Sequence, residues 1–295
     1  SFYLISMLTE RTPRLTYALF MIPLGETGHS LNINSGAAGL SQAQALSIHK
    51  QLLLKRTSVF NAFEQFNSAA LELSGPLNKT NTLRYRLFAA GGSGRFDGNI
   101  GGRSIADNTL NYPWSAGGQI GLNLIGYYSR FDTPFLYTPV PLTLGIITGS
   151  KYDRREQEHF FSTNTQVALR WSHMVFMAEH YYKKEFAFVT NQNAYHVQAG
   201  FLVWPKHLMF AADFGEFLAN PFENPPARFT TTLREPRNER EYRAGLHWYF
   251  YRDIGVLSLL YNYRLTKNAL NDDTQADGKA DRVIESVQLI AQYRF

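Results

Sequence analysis

The sequence predicts an all-β protein, a transmembrane antiparallel up-and-down β-barrel, from three observations. Segment after segment alternates apolar and polar residues with a period of two, over about the 9–11 residues that a tilted membrane strand needs. The connections between these segments alternate between short and long. Aromatic residues make up 15% of the chain although its mean hydropathy is negative, which indicates that they are concentrated at particular positions. Together these features favour a barrel with one face in lipid.

Thirteen candidate strands carry the alternation. They are roughly 1–9, 13–22, 67–76, 82–90, 116–130, 140–149, 162–172, 174–184, 194–204, 206–216, 239–250, 254–266 and 282–295. No run of 18 or more apolar residues occurs, so a transmembrane helix is excluded by the length that a bilayer demands. Strands can cross lipid only in a closed sheet, because unpaired backbone groups are costly there.

The connections predict two different ends of the barrel. The short ones are 10–13, 75–81, 172–174, 205–206 and 252–253. The long ones are 23–66, 91–115, 150–161, 185–193, 217–238 and 267–281, and 131–139 is longer than its place among the short ones predicts. Short periplasmic turns and long outer loops are typical of outer-membrane barrels. The alternative, a soluble β-sandwich, predicts loops of similar length at both ends and shorter strands.

The alternation also assigns one face of each strand to lipid. The predicted lipid-facing sets are Tyr195, Val197, Ala199, Phe201 and Val203; Tyr242, Ala244, Leu246, Trp248 and Phe250; and Leu257, Leu259, Tyr261, Tyr263 and Leu265. Trp171, Trp204 and Trp248 lie close to short turns, as an interfacial aromatic girdle requires. Strict alternation would point Trp204 inward, so we expect the phase to slip at that turn.

The opposite phase gives the predicted lumen wall. Its basic residues are Arg84, Arg86, Arg170, Lys183, Arg243, Arg264, Arg282 and Arg294, beside His247. Its acidic residues are Glu72, Glu179 and Asp213. This excess of bases predicts a mild anion preference, since cationic walls lower the barrier for anions. We also expect the three acids to pair with arginines and stiffen the wall.

The last strand, SVQLIAQYRF, ends on an aromatic residue, Phe295, in phase with Tyr293, Ala291, Leu289 and Val287. The last strand runs from the outer loops towards the periplasm. Counting back from it through the alternating connections gives the first of the thirteen strands the same direction. A barrel with both termini in the periplasm has an even number of strands, so parity predicts fourteen to sixteen strands in the intact protein. We therefore expect an open edge beside 282–295, or a partner strand supplied from elsewhere.

Several stretches resemble the bacterial phosphate-selective porin O and P family. They are RLTYALFMIPLGETGHSLN, SAALELSGPLNKTNTLRYRLFAAGGSGRF, MVFMAEHYYKKEF, NAYHVQAGFLVWP and EYRAGLHWYFYRDIGVLSLLYNYRLTKN. The resemblance implies a sixteen-stranded, usually trimeric barrel, with the third outer loop folded into the lumen between strands five and six. It also implies that the closing Phe295 forms part of the signal read by the barrel assembly machinery.

The resemblance thus predicts that three N-terminal strands of the barrel are lacking from the thirteen. The second and third predicted strands then become five and six, and the loop 23–66 between them becomes the constriction loop. Its segment LSQAQALSIHKQLLLKR, 40–56, is the one stretch with helical character, and a surface amphipathic helix or a partner-binding lid is the alternative. The family's phosphate carriers use a cluster of loop lysines and a ladder of arginines, whereas this loop offers only Lys50, Lys55 and Arg56. Phosphate selectivity is therefore not predicted.

Motifs for other chemistry are weak. The chain has no Cys, which excludes disulfides, thiolate metal sites and thiol catalysis. GGSGRFDGNIGG, 91–102, lacks the ending of a phosphate loop and predicts a flexible outer loop. The 271–281 segment, with Asp273, Asp277 and Asp281, resembles a calcium loop but lacks its terminal Glu, so it is at most a weak calcium candidate.

Neither an enzyme nor a nucleic-acid partner is predicted. Ser47 and His49 have no evident group to orient the histidine, and Glu179 and His180 are neighbours on one strand that face opposite sides. The histidines show no metal-ligand spacing, so no cofactor is expected. Although the net charge is +5, the arginines are spread around a wall instead of forming one stripe.

The sequence thus predicts a porin in the outer membrane of a Gram-negative bacterium. We expect it to be a passive, mildly anion-preferring channel for small hydrophilic solutes, and the family resemblance implies a homotrimer. The alternative is a structural barrel, the sheath or anchor of a larger outer-membrane complex such as an electron conduit or a motility or secretion assembly. In that case a partner would fill the lumen, and fold alone does not separate the two.

Overall fold

The structure, a computed structural model, describes most of the chain. The described residues are 2–8, 13–35, 39–42, 50–54, 57–60, 63, 69–91, 98–100, 103–105, 114–129, 132–154, 159–221, 223, 236–267 and 281–293. Some predicted positions lie outside these ranges, namely Ser47, His49, Lys55, Arg56, Asp273, Asp277, Arg294 and Phe295. Only parts of the predicted helical segment 40–56 lie within them.

The described residues form sixteen β-strands. In chain order they are β1 Phe2–Leu8, β2 Pro13–Pro23, β3 Ser30–Ser35, β4 Ala69–Pro76, β5 Leu83–Gly91, β6 Gly98–Ile100, β7 Arg103–Ile105, β8 Trp114–Ile125, β9 Val140–Arg154, β10 His159–Ser172, β11 Met174–Glu185, β12 Thr190–Trp204, β13 Leu208–Ala219, β14 Glu239–Tyr251, β15 Gly255–Thr266 and β16 Arg282–Tyr293. Fourteen of them form one antiparallel sheet in chain order, while β6 and β7 make a separate hairpin. No helix among the described residues is long and apolar enough to cross a membrane.

All thirteen predicted strands are present, and the predicted up-and-down fold class is confirmed. The sheet has one more strand, β3, which pairs with β2 and β4 inside the segment predicted as a single loop, 23–66. That prediction is wrong because β3 has only six residues, SLNINS, too short to stand out as a membrane strand. The long connection therefore begins after Ser35, and 24–29 is a short turn.

Two other predicted loops are shorter than expected, and a third contains a hairpin. The connections predicted at 150–161 and 185–193 contract to 155–158 and 186–189, because the strands on either side continue past the predicted bounds. β9 and β12 each reach 15 residues, which is longer than a bilayer alone requires. The glycine-rich loop 91–115 contains the β6–β7 hairpin. Loop length is thus a weaker signal than strand alternation.

The sheet has two edges, formed by β1 and β16. Within the described residues no ladder joins these strands, so the predicted open edge beside 282–295 is confirmed. Val287 and Leu289 on β16 are 68% and 70% exposed, more than outward residues of interior strands. The prediction that the first and last strands run in the same direction is wrong, however, because β3 makes the number of strands in the sheet even. β1 consequently starts at the end of the sheet where β16 finishes.

The outward phase forms an apolar belt. Phe201, Leu246 and Leu259 are each between 42% and 50% exposed, while the residues between them on the same strands point inward and are buried. Trp171, Trp204 and Trp248 are 51–62% exposed and lie together at the short-turn end. A register shift between Leu202 and Trp204 turns that tryptophan outward, so the expected phase slip is present.

The belt predicts a depth-dependent cost for charge. We expect Leu259→Arg, near the middle of β15, to destabilise the folded protein in lipid by about 2–4 kcal/mol. Leu218→Arg, on the outward phase near the long-loop end of β13, should cost only about 0–1 kcal/mol. Denaturant unfolding in phospholipid vesicles measures both. Equal costs at the two positions would contradict a lipid-facing belt.

Candidate functional site: the lumen and its loop

The connection after β3 passes through the interior of the sheet. Its described residues are almost all buried: Leu40 and Phe60 are 0% exposed, and Leu52, Val59 and Phe63 are 1% exposed. They contact inward side chains of strands from β5 to β15, on opposite sides of the interior. The loop is therefore surrounded by the wall instead of covering its rim.

Glycines on the inward phase make room for the loop. A Cβ at Gly215 would lie 3.1 Å from a methyl group of Val59, and one at Gly245 would lie 2.7 Å from a methyl group of Leu53. Any larger side chain at these positions would occupy the loop's place. Sequence reasoning missed this feature, although glycine in a strand interior is a known sign of close backbone approach.

Amide side chains of the wall bind the first part of the loop. The Leu40 carbonyl accepts hydrogen bonds from Gln119 Nε2 at 2.9 Å and from Gln166 Nε2 at 2.6 Å. The Gln42 N–H donates to Glu179 Oε1 at 3.1 Å. These wall residues come from β8, β10 and β11, so the loop is held from several strands at once. Their bonds satisfy backbone groups that would otherwise be buried without partners.

Two carboxylates on β14 hold the second part of the loop. Glu241 Oε2 accepts from Thr57 Oγ1 at 2.9 Å and from the Ser58 N–H at 3.2 Å. Glu239 Oε2 accepts from Ser58 Oγ at 2.8 Å. Hydrogen bonds to ionised acceptors are stronger than neutral ones, so this is a firm anchor.

Two of the predicted wall arginines, Arg86 and Arg243, pair with carboxylates. Arg86 Nε lies 2.5 Å from Glu72 Oε2, and its Nη1 donates to the Gly39 carbonyl at 3.0 Å. Arg243 Nε donates to Asp213 Oδ1 at 2.9 Å, and His196 Nε2 lies 2.8 Å from Asp213 Oδ2. These pairs sit deep in the wall, where breaking one partner leaves an uncompensated charge.

The other predicted site residues are spread along the wall. Lys183 is fully buried, with its Nζ 3.9 Å from the centre of the Phe160 ring. Arg170 and Arg264 are half-buried, and each has a buried Nε without a hydrogen-bond partner among the described residues. Arg282 is exposed on the edge strand and Lys50 is exposed in the loop. The structure does not bring these bases together into one cluster.

The count of wall charges was incomplete. The inward phase also carries Lys151, Asp153, Glu185, Glu239 and Glu241. The strands extend past their predicted ends, so the sequence did not reveal Lys151, Asp153 and Glu185. Glu241 shares the phase of Arg243 and could have been found from it. With these acids the predicted large excess of bases falls to near balance. Lys151 Nζ itself lies 3.3 Å from Asp153 Oδ2.

The connection 126–139 enters the interior from the opposite end. Phe135 and Leu136 are buried, Tyr249 Oη donates to the Leu136 carbonyl at 2.7 Å, and Phe135 packs edge-on against His247 at 4.9 Å between ring centres. Thr133 Oγ1 donates to the Lys50 carbonyl at 3.2 Å. Segments from both ends of the barrel therefore meet inside it. This explains why the connection is longer than its class predicts.

Tyr128 joins this segment to the loop. Its hydroxyl donates to Gln42 Oε1. Burial, aided by the negative charge of Glu179, raises the pKa of the Tyr128 phenol well above its usual range. The hydroxyl therefore stays protonated and keeps donating at any physiological pH.

A cavity of about 500 Å³ remains on the β2–β8 side of the interior. It lies at the short-turn end, bordered by the 24–29 turn, the start of β5 and residues 127–129. Its inward lining includes Asn32, Glu72, Arg84, Arg86 and Gln119. Among the described residues no cluster of three or more His, Asp or Glu side chains could hold a metal ion.

The chain is similar in structure to an outer-membrane channel. The crystal structure of the outer membrane channel DcaP of Acinetobacter baumannii matches with a TM-score of 0.54, over 97% of this chain and 88% of that chain, at 12% sequence identity. At this identity the likeness shows the fold, that of an outer-membrane channel. No protein-family model and no curated protein matches the chain, so the phosphate-selective porin O and P family stays a prediction.

The close approach at Gly215 predicts that a side chain there displaces the loop. We expect Gly215→Val to push Val59 off the wall, to lower the thermal unfolding midpoint and to expose loop lysine and arginine residues to trypsin. Ala212→Val, on the outward phase of the same strand, is the matched control and should change neither. An equally protected loop in Gly215→Val would contradict the packing.

The β14 anchor predicts a local effect of removing one charge. Glu241→Gln should loosen the loop, because a charge-assisted hydrogen bond contributes roughly 1.5–3 kcal/mol and the neutral amide accepts more weakly. Hydrogen exchange at the Ser58 amide should accelerate. Glu26→Gln, in the exposed 24–29 turn, serves as the control with no expected change. An unchanged exchange rate at the Ser58 amide in Glu241→Gln would show that Glu241 does not anchor the loop.

Proposed function

We propose that this protein is a passive outer-membrane channel for small hydrophilic solutes, narrowed by its own 36–68 loop. The observation that carries the proposal is the pairing of an apolar exposed belt with a polar interior held by a bound loop. A soluble protein has no use for such a belt, and a polar interior supports solute passage. The similarity of the fold to an outer membrane channel supports the same membrane and function.

The proposed selectivity is weak. Three wall bases, Arg86, Lys151 and Arg243, lie beside carboxylates, and the acids of the wall nearly match its bases in number, so the lumen does not present a cationic ring. The predicted mild anion preference rested on an excess of bases that falls to near balance. We therefore expect cation and anion permeabilities to lie within a small factor of each other.

The alternative of a structural sheath receives less support. A sheath needs its lumen for a partner, whereas the β9–β15 half of this interior is packed with the chain's own Leu52, Phe60 and Leu136. A partner would have to displace residues that are 0–1% exposed and bonded to several strands. The homotrimer and the recognition of Phe295 by the assembly machinery stay predictions.

Conductance across a planar bilayer tests the channel. We expect a small open current proportional to salt concentration, with a reversal potential near zero in a salt gradient. Gly215→Val should raise the conductance, since it displaces the loop, while Ala212→Val should leave it unchanged. A folded barrel that stays silent in both the wild type and Gly215→Val would refute a channel. A strongly anion-shifted reversal potential would restore the anion preference.

A further inference from the structure

We propose that the cavity at the short-turn end is a binding subsite for neutral, polyhydroxylated solutes of the sugar class. The inference deepens the proposed function by naming a solute class, and it rests on that function only for the statement that solutes reach the lumen. The cavity has about 500 Å³, within the roughly 300–1,000 Å³ typical of small-molecule sites. It is the space that the loop and the 132–137 segment leave free.

The wall of this cavity offers a mixed set of polar groups without net charge in its deep part. Glu72 and Arg86 neutralise each other at 2.5 Å, and Asn32 Nδ2 lies 3.3 Å from Ser74 Oγ. Asn32 is 5% exposed, and its buried Oδ1 has no hydrogen-bond partner among the described residues. The Glu72 carboxylate and the amides of Asn32 and Gln119 line the cavity, so its wall offers both acceptors and donors. A hydroxyl both donates and accepts, which suits this set.

An aromatic ring at the mouth supplies an apolar surface. Tyr127 is 52% exposed and lines the cavity beside Tyr85. Binding sites for small molecules combine apolar or aromatic walls with a few fixed polar groups. A sugar ring has both an apolar face of C–H groups and a rim of hydroxyls. Tyr127 and the amide-lined wall match these two sides of one solute.

An anion fits the deep part of the cavity less well. Arg84 is the cavity base without a carboxylate partner among the described residues; it donates to Asn81 Oδ1 and lies 5.8 Å from the centre of the Tyr127 ring. A carboxylate anion could meet this guanidinium, yet it carries no donor for the Glu72 carboxylate and is repelled by its charge. Sites built to bond a hydroxyl reject analogues that lack it, because their own polar groups are then left unpaired.

Sucrose binding to the whole protein in a detergent without a sugar headgroup tests the subsite. Saturation-transfer NMR should show saturable binding in the millimolar range. Tyr127→Ala should weaken it roughly three- to tenfold, the loss expected for one aromatic contact. Asn32→Ala should also weaken it. Tyr251→Ala is the control: Tyr251 is 49% exposed at the same end of the barrel but stacks on Tyr293, and its loss should change nothing.

The charge test separates a sugar site from an anion site. Arg84→Gln should leave sucrose affinity within about twofold, because glutamine still offers donors for a hydroxyl. Saturable acetate binding that Arg84→Gln abolishes, without sucrose binding, would overturn the proposal, as would sucrose binding unaffected by both Tyr127→Ala and Asn32→Ala. Conductance is recorded separately. An open channel that does not bind sucrose would contradict the sugar subsite but not the channel. Sucrose binding to a barrel without conductance would contradict the channel but not the subsite.

Discussion

A loop that enters a barrel brings its backbone N–H and C=O groups into a place where water is scarce, and those groups must be bonded by the wall. The rest of this structure depends on that constraint. Gln119 and Gln166 bond one carbonyl of the loop, and Glu179 and Glu241 accept its amides. Because these wall residues come from different strands, each also fixes the position of the loop against the whole barrel. The polar side chains of the wall thus bind the loop as well as lining the lumen.

The apolar side chains of the interior follow from the same arrangement. Two buried clusters flank the loop, one built around Phe60 and Phe63 and one around Leu52 and Leu136. Their size matters, since interiors pack to high density and a displaced loop would leave voids on one side and clashes on the other. A loop held this way is part of the core. Solute passage must therefore use the space that remains beside it, on the side of β2–β8.

The paired charges of the wall contribute more to its rigidity than to the electrostatic potential in the lumen. The Arg86–Glu72 and Arg243–Asp213 pairs are buried, and the cost of separating either pair in the interior is high. Such pairs hold strand geometry and present little net potential to a passing ion. The cavity at the short-turn end keeps this property while adding amides and an aromatic ring. Its chemistry thus favours hydrogen-bonding solutes over ions.

Period-two alternation was the main signal that determined the fold class, because a membrane strand must show lipid on one side and water on the other at every second residue. It also determined the phase of Arg86 and Arg243. The ends of the strands and the short β3 were not predicted. A six-residue strand and the extra residues at the ends of β9 and β12 carry no lipid signal. Only the tertiary structure decided that the loop lies inside, that Glu241 bonds it and that Gly215 makes room for it. Those contacts join residues far apart in the chain, and no local pattern encodes them.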